Sequence, residues 1–421
     1  MLAAKGPTSM PHIRFLAFLL IFGFLTFGLR AQAPAPAAKP TAPAASPARV
    51  IGYYGAWTVY TRKYFVRQID AAKLTHINYA FAKVNAKGEV IVGDPVADTG
   101  IGARPPGGVA GGNFAELRDL KVKFPHLKTL ISLGGANDSE NFPLAAASPA
   151  SRQRFAASAV KFIVSHGFDG VDVDWEYPAA KGEKAGRLSE KKNFTLLLQE
   201  LRRQLDARGV LDKRKYLLTA AVGAGPEKIA GTELDKYPQY LDWIIVMTYD
   251  YHGPWSTRTG FGAPLQHDPG DIRLILNVHG SVLAFVNAGV PPSKICLGMP
   301  FYGFSLGQVP PGPKQDGLYQ QLLTPLAPKA AKMLTYRDIE SDYLGQPGWK
   351  SFYNVTTAQA YLYNSQKRLW LSYDNARSMA AKGAYIRKNG LGGAVIWELS
   401  GDGGKLLPAL SQAVKGIPAA K

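Results

Sequence analysis

The 421-residue chain contains a single cysteine, Cys296, and only seven histidines. One cysteine excludes an intrachain disulfide, and no His or Asn motif accompanies it, so we interpret Cys296 as an inert buried thiol. The histidines show no ligand spacing, and we therefore predict neither a metal site nor another cofactor. Stability is then expected to come from a large hydrophobic core rather than from covalent cross-links.

The N-terminal residues contain one apolar run and one low-complexity stretch. The run over residues 15–29 follows His12 and Arg14 and precedes small residues, so we predict a signal peptide over residues 1–33. An uncleaved anchor is the alternative, but the run is shorter than the roughly 20 residues of a membrane span, and we predict no stable span. Residues 34–49 are rich in Ala and Pro and form a predicted linker. A secreted protein, extracellular or periplasmic, is expected.

Acidic residues are outnumbered by basic ones. The resulting formal net charge of +18 raises the possibility of a polyanionic partner. The basic residues are scattered along helical segments and often lie beside an acid, as in Glu190-Lys191-Lys192. That pattern is typical of a solvated helix face. Since no recognition motif accompanies the charge, we predict no nucleic-acid partner, and we expect a monomer.

The most informative segment runs from Asp169 to Glu176 and reads DGVDVDWE. On a strand, Asp172, Asp174 and Glu176 share one face, while the apolar residues between them face covering helices. Carboxyls this close cannot all ionise when buried, so at least one pKa rises, as a general acid at neutral pH requires. A solvated or calcium-binding acidic loop is the alternative. The alternating Val and Trp residues favour the strand.

Eight short apolar runs alternate with helical segments, which is the pattern of repeated βα units and a parallel sheet. The runs cover residues 50–54, 76–81, 127–133, 170–175, 216–221, 243–247, 295–300 and 393–397. Helical periodicity is clearest over residues 151–166, 189–207, 272–288 and 375–389. We predict an α/β fold, a (β/α)8 TIM barrel over residues 50–304 and 370–415, with its site at the C-terminal strand ends. An insertion at 305–369 separates the last two strands, and 416–421 form a tail.

Most of the predicted strand ends carry aromatic, acidic or small polar residues. Besides the acids, they are Tyr53 and Trp57, Phe81, Ser132, Gly134 and Gly135, Met247, Tyr249 and Asp250, Met299 and Tyr302, and Trp397. Flat rings stack on the apolar faces of pyranoses, and carboxylates and hydroxyls bind sugar hydroxyl groups. The strand ends therefore predict a sugar-binding cleft.

In order and spacing, these motifs resemble those of chitinases of the family 18 glycoside hydrolases. The matching segments are SLGG at 132–135, D-x-x-D-x-D-x-E at 169–176, MTYD at 247–250 and the final-strand Trp397, and they extend over nearly the whole mature chain. The resemblance implies hydrolysis of β-1,4-linked N-acetylglucosamine polymers or oligomers, that is chitin or chito-oligosaccharides, with retention. It also implies substrate-assisted catalysis, with one protein acid and no protein nucleophile.

The resemblance assigns a role to each matching position. Glu176 would protonate the glycosidic oxygen while the 2-acetamido oxygen of the substrate attacks the anomeric carbon to give an oxazolinium ion. Asp174 would hold the acetamido N–H, and Asp172 would share a proton with it. Tyr249 would align the acetamido carbonyl, and Asp250 would contact the same sugar.

Further positions are expected to support or line the cleft. Trp397 would form its floor, Tyr53 and Ser132 would support the acids from behind, and Asp169, off the alternation, is expected to brace the strand. The other predicted substrate-binding residues are Trp57, Phe81, Gly134, Gly135, Met247, Trp255, Met299, Tyr302 and Arg337.

The insertion resembles the small α+β domain of one chitinase subfamily, and a wall of this kind favours exo-acting or processive cleavage by analogy. Three departures qualify the resemblance. Ala136 stands where many relatives carry Trp, which leaves Trp255 as the remaining platform for the leaving-group side. Phe304 replaces an Arg of that subfamily. No separate carbohydrate-binding module is recognisable in the sequence.

Two other functions remain open. A non-catalytic chitin-binding lectin shares the fold, but such proteins have typically lost the acid that Glu176 represents. An N-acetylglucosaminidase acting on peptidoglycan or N-glycans would use the same acetamido chemistry. The insertion favours chitin over N-glycans and disfavours peptidoglycan only weakly.

Overall fold

The computed structural model describes residues 48–102, 106–179, 188–322 and 331–417. The predicted signal peptide, residues 34–47 of the predicted linker and residues 418–421 of the predicted tail lie outside these ranges. Arg49, predicted as the end of the linker, is the first residue of the first strand. No helix in the described ranges is both long and apolar enough to span a bilayer.

The described ranges contain fourteen strands and eleven α-helices. The strands are β1 (Arg49–Gly55), β2 (His76–Val84), β3 (Val90–Ile91), β4 (Lys128–Gly134), β5 (Gly170–Asp174), β6 (Leu217–Gly223), β7 (Trp243–Met247), β8 (Ile295–Pro300), β9 (Tyr302–Leu306), β10 (Ala331–Thr335), β11 (Lys350–Asn354), β12 (Gln359–Asn364), β13 (Leu369–Tyr373) and β14 (Gly393–Trp397). The helices are α1 (Thr58–Thr61), α2 (Pro95–Thr99), α3 (Gly112–Lys123), α4 (Phe142–Ala146), α5 (Pro149–His166), α6 (Ser189–Asp212), α7 (Pro226–Ala230), α8 (Val278–Asn287), α9 (Tyr336–Asp342), α10 (Ala376–Lys388) and α11 (Leu406–Lys415).

Eight parallel strands close into a barrel. Their order is β1-β14-β8-β7-β6-β5-β4-β2, and β1 also pairs with β2, so the sheet has no free edge among these strands. The predicted (β/α)8 barrel is confirmed, and each of the eight predicted runs overlaps a barrel strand to within one residue at its start and three at its end. Parallel closure brings every strand's C-terminal end to one face of the molecule, where TIM barrels carry their chemistry.

Alternation along the strands separates two apolar layers. On β7, Trp243, Ile245 and Met247 pack inside the barrel, whereas the residues between them pack against the helices. Cys296 lies in the inner layer, fully buried, and burial raises the pKa of its thiol to about 12. The prediction of an inert buried thiol agrees with this position.

Local signals set the helix ends. Helix α5 begins after Ser148, which exchanges capping hydrogen bonds with Ser151, and it ends at Gly167, which adopts a left-handed φ of 77°. The helix predicted over residues 272–288 is shorter in the structure. It begins only at Val278, after Asn277 accepts a hydrogen bond from the Gly280 N–H. The apolar spacing before that cap belongs to an exposed loop.

The insertion is a five-stranded antiparallel sheet with strand order β10-β9-β13-β12-β11, and it carries helix α9. It runs from Tyr302 to Tyr373, so residues 302–304 and 370–373, predicted as barrel, lie in its strands. Strand β9 follows β8 after one residue and pairs with β10 and β13, which draws these flanking residues into the sheet. An aromatic core that includes Tyr361 and Trp370 packs on one side of it.

Candidate active site

Asp172 is fully buried at the centre of β5 and accepts hydrogen bonds from three hydroxyl groups. Tyr53 on β1 donates to Oδ2 at 2.6 Å, Ser132 on β4 donates to the same oxygen at 2.7 Å, and Thr219 on β6 donates to Oδ1 at 2.6 Å. Burial raises the pKa of Asp172, and these donors oppose the rise. Donors from the neighbouring strands β4 and β6, and from β1 elsewhere in the barrel wall, therefore fix this carboxyl in place.

Asp174 lies two residues further along the same face and is 4% exposed. Its Oδ1 is buried and has no hydrogen-bond partner among the described residues. Burial raises the pKa of Asp174 well above its usual range, and the charges of Glu176 and Asp172 raise it further. The environment of the three carboxyls therefore disfavours full ionisation and favours retention of a proton at Asp174.

Glu176 follows the end of β5 and lines the cavity at the mouth of the barrel. Its backbone N–H donates to Ser139 Oγ at 3.0 Å, and that oxygen also lies 2.8 Å from the carbonyl of Gly135. Tyr177 hydrogen-bonds the Glu176 carboxylate; burial and that negative charge raise the pKa of the Tyr177 hydroxyl. The hydroxyl thus stays protonated and can donate to the carboxylate.

Tyr249 and Asp250 follow strand β7 on the opposite wall. The Tyr302 hydroxyl donates to Asp250 Oδ1 at 2.6 Å. Although Asp250 is open to the cavity, the surrounding protein raises the pKa of its carboxyl to about 6. Burial, together with the charges of Asp174 and Asp250, raises the pKa of the Tyr249 hydroxyl, which therefore remains a proton donor.

An aromatic cluster forms the floor. The Trp397 ring lies 5.2 Å from Tyr53, 5.8 Å from Phe81 and 6.0 Å from Trp57, measured between centroids. Gly135 has a φ of 84°, and a Cβ there would lie 2.6 Å from the Phe81 ring. The glycine is thus required for the turn and for the packing of the floor.

These residues surround a cavity of about 430 Å³. Its lining includes the predicted residues Asp174, Glu176, Tyr249, Trp57, Phe81, Gly134, Met247, Asp250, Tyr302 and Trp397. Asp172, Tyr53 and Ser132 lie directly behind the acids, and Gly135 lies under Phe81. The size is within the range of small-ligand sites. No group of three or more His, Cys, Asp or Glu side chains with metal-binding geometry occurs in the described ranges.

The structure does not bring Met299 or Arg337 to the cavity. On β8 the alternation turns Cys296 inward and Met299 outward, so the methionine is fully buried between the barrel and its helices. Arg337 lies on the exposed side of α9, beside Gly403, because Tyr336 and Ile339 form the buried face of that helix. Neither contributes to the cleft from these positions.

Trp255 lies outside the cavity but is connected to it through other rings. It is 58% exposed and packs edge-on against Phe304, with centroids 5.5 Å apart. Phe304 in turn lies 5.5 Å from Tyr302, which lines the cavity. Trp255 therefore lies at the periphery of the cleft and is not part of its floor.

Four lining residues escaped the sequence analysis: Tyr177, Asn137, Asp138 and Met333. Tyr177 directly follows Glu176, and Asn137 and Asp138 lie in the turn after the pair Gly134-Gly135. Their positions beside predicted site residues could have indicated them. Asp138 also forms an ion pair with Lys83 at 3.1 Å. Met333 comes from β10 of the insertion, and no local pattern marks it.

Comparison with known proteins identifies the family to which this chain belongs. The family model described as "Glycosyl hydrolases family 18" matches residues 49–402. Chitinase A1 of Niallia circulans is 38% identical over 441 residues, which covers 94% of this chain and 62% of that protein. The chain thus spans less than two thirds of the length of that relative.

Two solved structures are similar over most of this chain. Chitinase ChiA74 from Bacillus thuringiensis superposes with a TM-score of 0.81 at 35% identity, covering 89% of this chain and 71% of that chain. A family 18 N-acetylglucosaminidase from Paenibacillus barengoltzii gives a TM-score of 0.75 at 33% identity, covering 87% and 99%. With the family model matching most of its length, this chain belongs to the glycosyl hydrolases family 18.

Proposed function

We propose that this chain is a chitinase that hydrolyses β-1,4-linked N-acetylglucosamine polymers or oligomers with retention. The observation that carries the proposal is the unpartnered, buried Oδ1 of Asp174, between Asp172 and Glu176 at the base of an aromatic-lined cavity. A buried carboxyl oxygen without a donor is costly. The N–H of a 2-acetamido group is a neutral donor that could satisfy this oxygen. A hydrogen bond from that N–H to Asp174 would hold the acetamido carbonyl oxygen near the anomeric carbon.

In this mechanism the three acids have different roles. Glu176 gives its proton to the glycosidic oxygen as the bond from that oxygen to the anomeric carbon breaks, and the acetamido oxygen forms a bond to the same carbon. The resulting oxazolinium ion is positively charged, and the carboxyl pair Asp172 and Asp174 stabilises it. Water opens the ring from the face that the leaving group vacated and returns a proton to Glu176. Two inversions give net retention.

The opposite wall orients the acetamido group. The Tyr249 hydroxyl, kept protonated by burial, donates to the acetamido carbonyl and aligns its oxygen for attack. Tyr302 holds the Asp250 carboxylate at 2.6 Å, so that carboxylate presents a fixed acceptor to the same sugar. Trp397 provides the apolar surface on which the pyranose ring stacks.

The test is product analysis by mass spectrometry on chitin hexaose. Wild type is expected to give disaccharide-rich products, and Glu176→Gln is expected to lose roughly 10³-fold in kcat because the proton donor is gone. Glu227→Gln, at an exposed position on α7, is the matched control and is expected to retain full activity.

The other outcomes separate the alternatives. Binding of hexaose without cleavage by wild type would identify a lectin. Release of monosaccharide alone would match an N-acetylglucosaminidase, the activity named for the relative from Paenibacillus barengoltzii. Cleavage only of peptidoglycan strands or N-glycans would move the substrate to those polymers.

We propose further that the protein is exported after removal of residues 1–33 and acts as a monomer. The support is the apolar run over residues 15–29 with its basic flank and small residues after it. N-terminal sequencing of protein from the culture medium or periplasm is expected to begin near residue 34. Retention of the full-length chain in the membrane fraction would show an uncleaved anchor, and size-exclusion chromatography tests the monomer.

A further inference from the structure

A fully buried ion pair lies where the insertion rejoins the barrel, outside the cavity around the acids. Lys382 on α10 places its Nζ 2.6 Å from Oδ2 of Asp374, and both side chains are fully buried. Taking two charges out of water can cost more than their attraction returns, so a buried pair is weak evidence of stability. Neither residue lines the cavity. The contacts of the pair with its neighbours indicate a positional role instead.

A glutamine connects this pair to the loop that follows β7. The Gln359 side chain is 1% exposed; its Nε2 donates to Oδ1 of Asp374, and its Oε1 accepts from the Ala263 N–H at 3.1 Å. One residue earlier, the Gly262 N–H donates to Ser372 Oγ at 3.3 Å. We call Lys382, Asp374 and Gln359 the junction triad. It forms a continuous polar chain that ends on the backbone of the loop.

The same loop backbone holds Asp250 in its conformation. The Gly262 carbonyl accepts a hydrogen bond from the Tyr251 N–H at 2.9 Å. Asp250, directly before Tyr251, has a φ of 60°, a left-handed conformation that residues other than glycine adopt rarely and at a cost. Its carboxylate accepts from the Tyr302 hydroxyl on β9 at 2.6 Å. The backbone next to Asp250 and the side chain of Asp250 are therefore held by two different elements.

The junction triad lies close behind this wall of the cleft. A small cavity of about 10 Å³ is lined jointly by Tyr249, Asp250 and Tyr302 and by Gln359, Ser372 and Asp374. Because protein interiors are close-packed, a displacement on one side of so small a space is transmitted to the other.

We propose that the members of the junction triad are positioning residues, which fix the loop at Gly262-Ala263 and thereby hold Asp250 in place to contact the bound sugar. The inference rests on the proposed function, in which Asp250 makes that contact. Lys382 neutralises the buried Asp374, so the carboxylate stays an acceptor for the Gln359 amide. No member of the triad touches the substrate, and the effect of all three passes through Asp250.

The first test is a double-mutant cycle on hydrolysis of soluble chitin hexaose. Gln359→Met removes both hydrogen bonds of the amide at nearly constant volume, and kcat/KM is expected to fall about tenfold because Asp250 moves away from the sugar. In an Asp250→Ala background the same substitution is expected to change kcat/KM by less than about twofold, since the residue through which it acts is absent.

Asn364→Leu is the matched control for Gln359→Met. Asn364 lies at the other end of β12, is also 1% exposed, and accepts a hydrogen bond from the Lys367 N–H at 2.9 Å. Its loss removes a buried amide from the same strand without a connection to the loop after β7. Its kcat/KM is expected to stay within about twofold of wild type.

Two double variants test the ion pair. Asp374→Asn/Lys382→Met removes both charges but keeps a side-chain oxygen that can accept from Gln359, and kcat/KM is expected to stay within about threefold of wild type. Asp374→Leu/Lys382→Met removes that oxygen as well, and a loss of about tenfold is expected. Equal kcat/KM values in the two variants would overturn the role of Asp374. Thermal unfolding shows that each variant is folded before the kinetics are compared.

Equal losses from Gln359→Met in the wild-type and Asp250→Ala backgrounds overturn the proposal, because the effect would then not pass through Asp250. Unchanged kcat/KM in Gln359→Met also overturns it, as does an equal loss in Asn364→Leu. Calorimetric binding of hexaose in a Glu176→Gln background applies the same test without cleavage: Gln359→Met is expected to raise Kd about threefold, and an unchanged Kd overturns the proposal. A wild type that binds hexaose without cleaving it counts against the proposed function alone, and one that does neither counts against both.

Discussion

The two inner carboxyls of the site differ in how the protein satisfies them. Three hydroxyl donors at 2.6 to 2.7 Å hold Asp172, whereas Oδ1 of Asp174 has no partner among the described residues. The first carboxyl is therefore fixed, and the second has an oxygen that is available to accept a hydrogen bond from a substrate. In the proposed mechanism, Asp174 therefore makes the substrate contact and Asp172 is a positioning residue.

Tyr249 provides the test of acetamido alignment. Tyr249→Phe removes one donor from a charge that develops only in the transition state, so kcat on chitin hexaose is expected to fall roughly 10²-fold with little change in KM. Tyr363→Phe is the control, because that hydroxyl donates to the Val309 carbonyl in the core of the insertion. A higher KM with unchanged kcat would instead make Tyr249 a ground-state binding residue.

Single residues of the site were predictable where strand alternation applies. The period of two places Asp172, Asp174 and Glu176 on one face, and the structure has the first two inside the barrel with the third at its mouth. The same rule, applied to β8, would have turned Met299 outward. Met333 could not have been found, since its approach to the cavity depends on how a separate sheet packs on the barrel.

At the scale of elements, one ion pair joins the insertion to the wall of the cleft. Arg62 caps the C-terminal end of helix α1, whose N-cap is Trp57, and donates to both carboxylate oxygens of Asp338 on α9 at 3.2 and 3.0 Å. Trp57, at the start of α1, and Met333, on β10 directly before α9, both line the cavity. We therefore expect the bidentate pair to help set the spacing of these two cleft walls.

Arg62→Gln breaks this pair without removing the cap that Asp338 forms with Thr335. The two side chains are 27% and 33% exposed, so the loss of stability is expected to be at most about 1 kcal/mol. KM for hexaose is expected to rise by roughly threefold with kcat retained, the signature of lost ground-state binding. Lys63→Gln, the exposed neighbour, is the control, and equal KM values in the two variants would contradict this role.

Helix α2 carries a buried acid that couples its stability to pH. Asp98 is fully buried and accepts a hydrogen bond from Tyr79, and burial raises its pKa to about 7. The folded state therefore holds the proton more tightly than the unfolded chain does. Its contribution is complete below about pH 4 and is lost as the pH rises through 7, by up to about 4 kcal/mol.

Urea unfolding from pH 4 to 8 tests this linkage. In Asp98→Asn the free energy of unfolding is expected to decline less steeply across that window than in wild type, because the titrating group is absent. The difference between the two curves isolates Asp98 from other groups that titrate. Parallel curves would show that Asp98 keeps an ordinary pKa in the folded protein.

At the scale of the whole molecule, stability depends on closure of the barrel between its first and last strands. Gly393 begins β14 with a φ of 148°, and a Cβ there would lie 2.3 Å from the backbone carbonyl oxygen of Arg49 on β1. Gly393→Ala is therefore expected to lower the free energy of unfolding by roughly 3 kcal/mol or more. A smaller loss of unfolding free energy, measured in urea or by heating, would show that the pairing between β1 and β14 can adjust to the added methyl group.

Gly225→Ala is the control for that substitution. A Cβ at Gly225 meets nothing within 4 Å, and its φ is negative, so the expected change is within about 1 kcal/mol and can be stabilising. Equal changes in the free energy of unfolding at the two glycines would contradict the importance of close packing between β1 and β14.

The barrel was predictable from the sequence, whereas the limits of its parts were not. Eight buried runs with helices between them define the closed sheet, because few other folds bury so many parallel strands. Tyr302 and Phe304 read as a continuation of β8, and only their antiparallel partners show that they belong to the insertion. A helix was predicted from residue 272 because the apolar spacing there is helical. In the structure Ile272, Leu274 and Ile275 are exposed on a loop, and helix α8 begins only at Val278.

The configuration of the first product tests the central claim most directly. Proton NMR during hydrolysis of chitin hexaose by wild type records the anomer before mutarotation. Attack by the acetamido oxygen while Asp174 holds its N–H, followed by opening with water, predicts that the β anomer forms first and the α anomer appears only later. Initial formation of the α anomer would mean direct attack by water, and it would contradict the account of the three carboxyls.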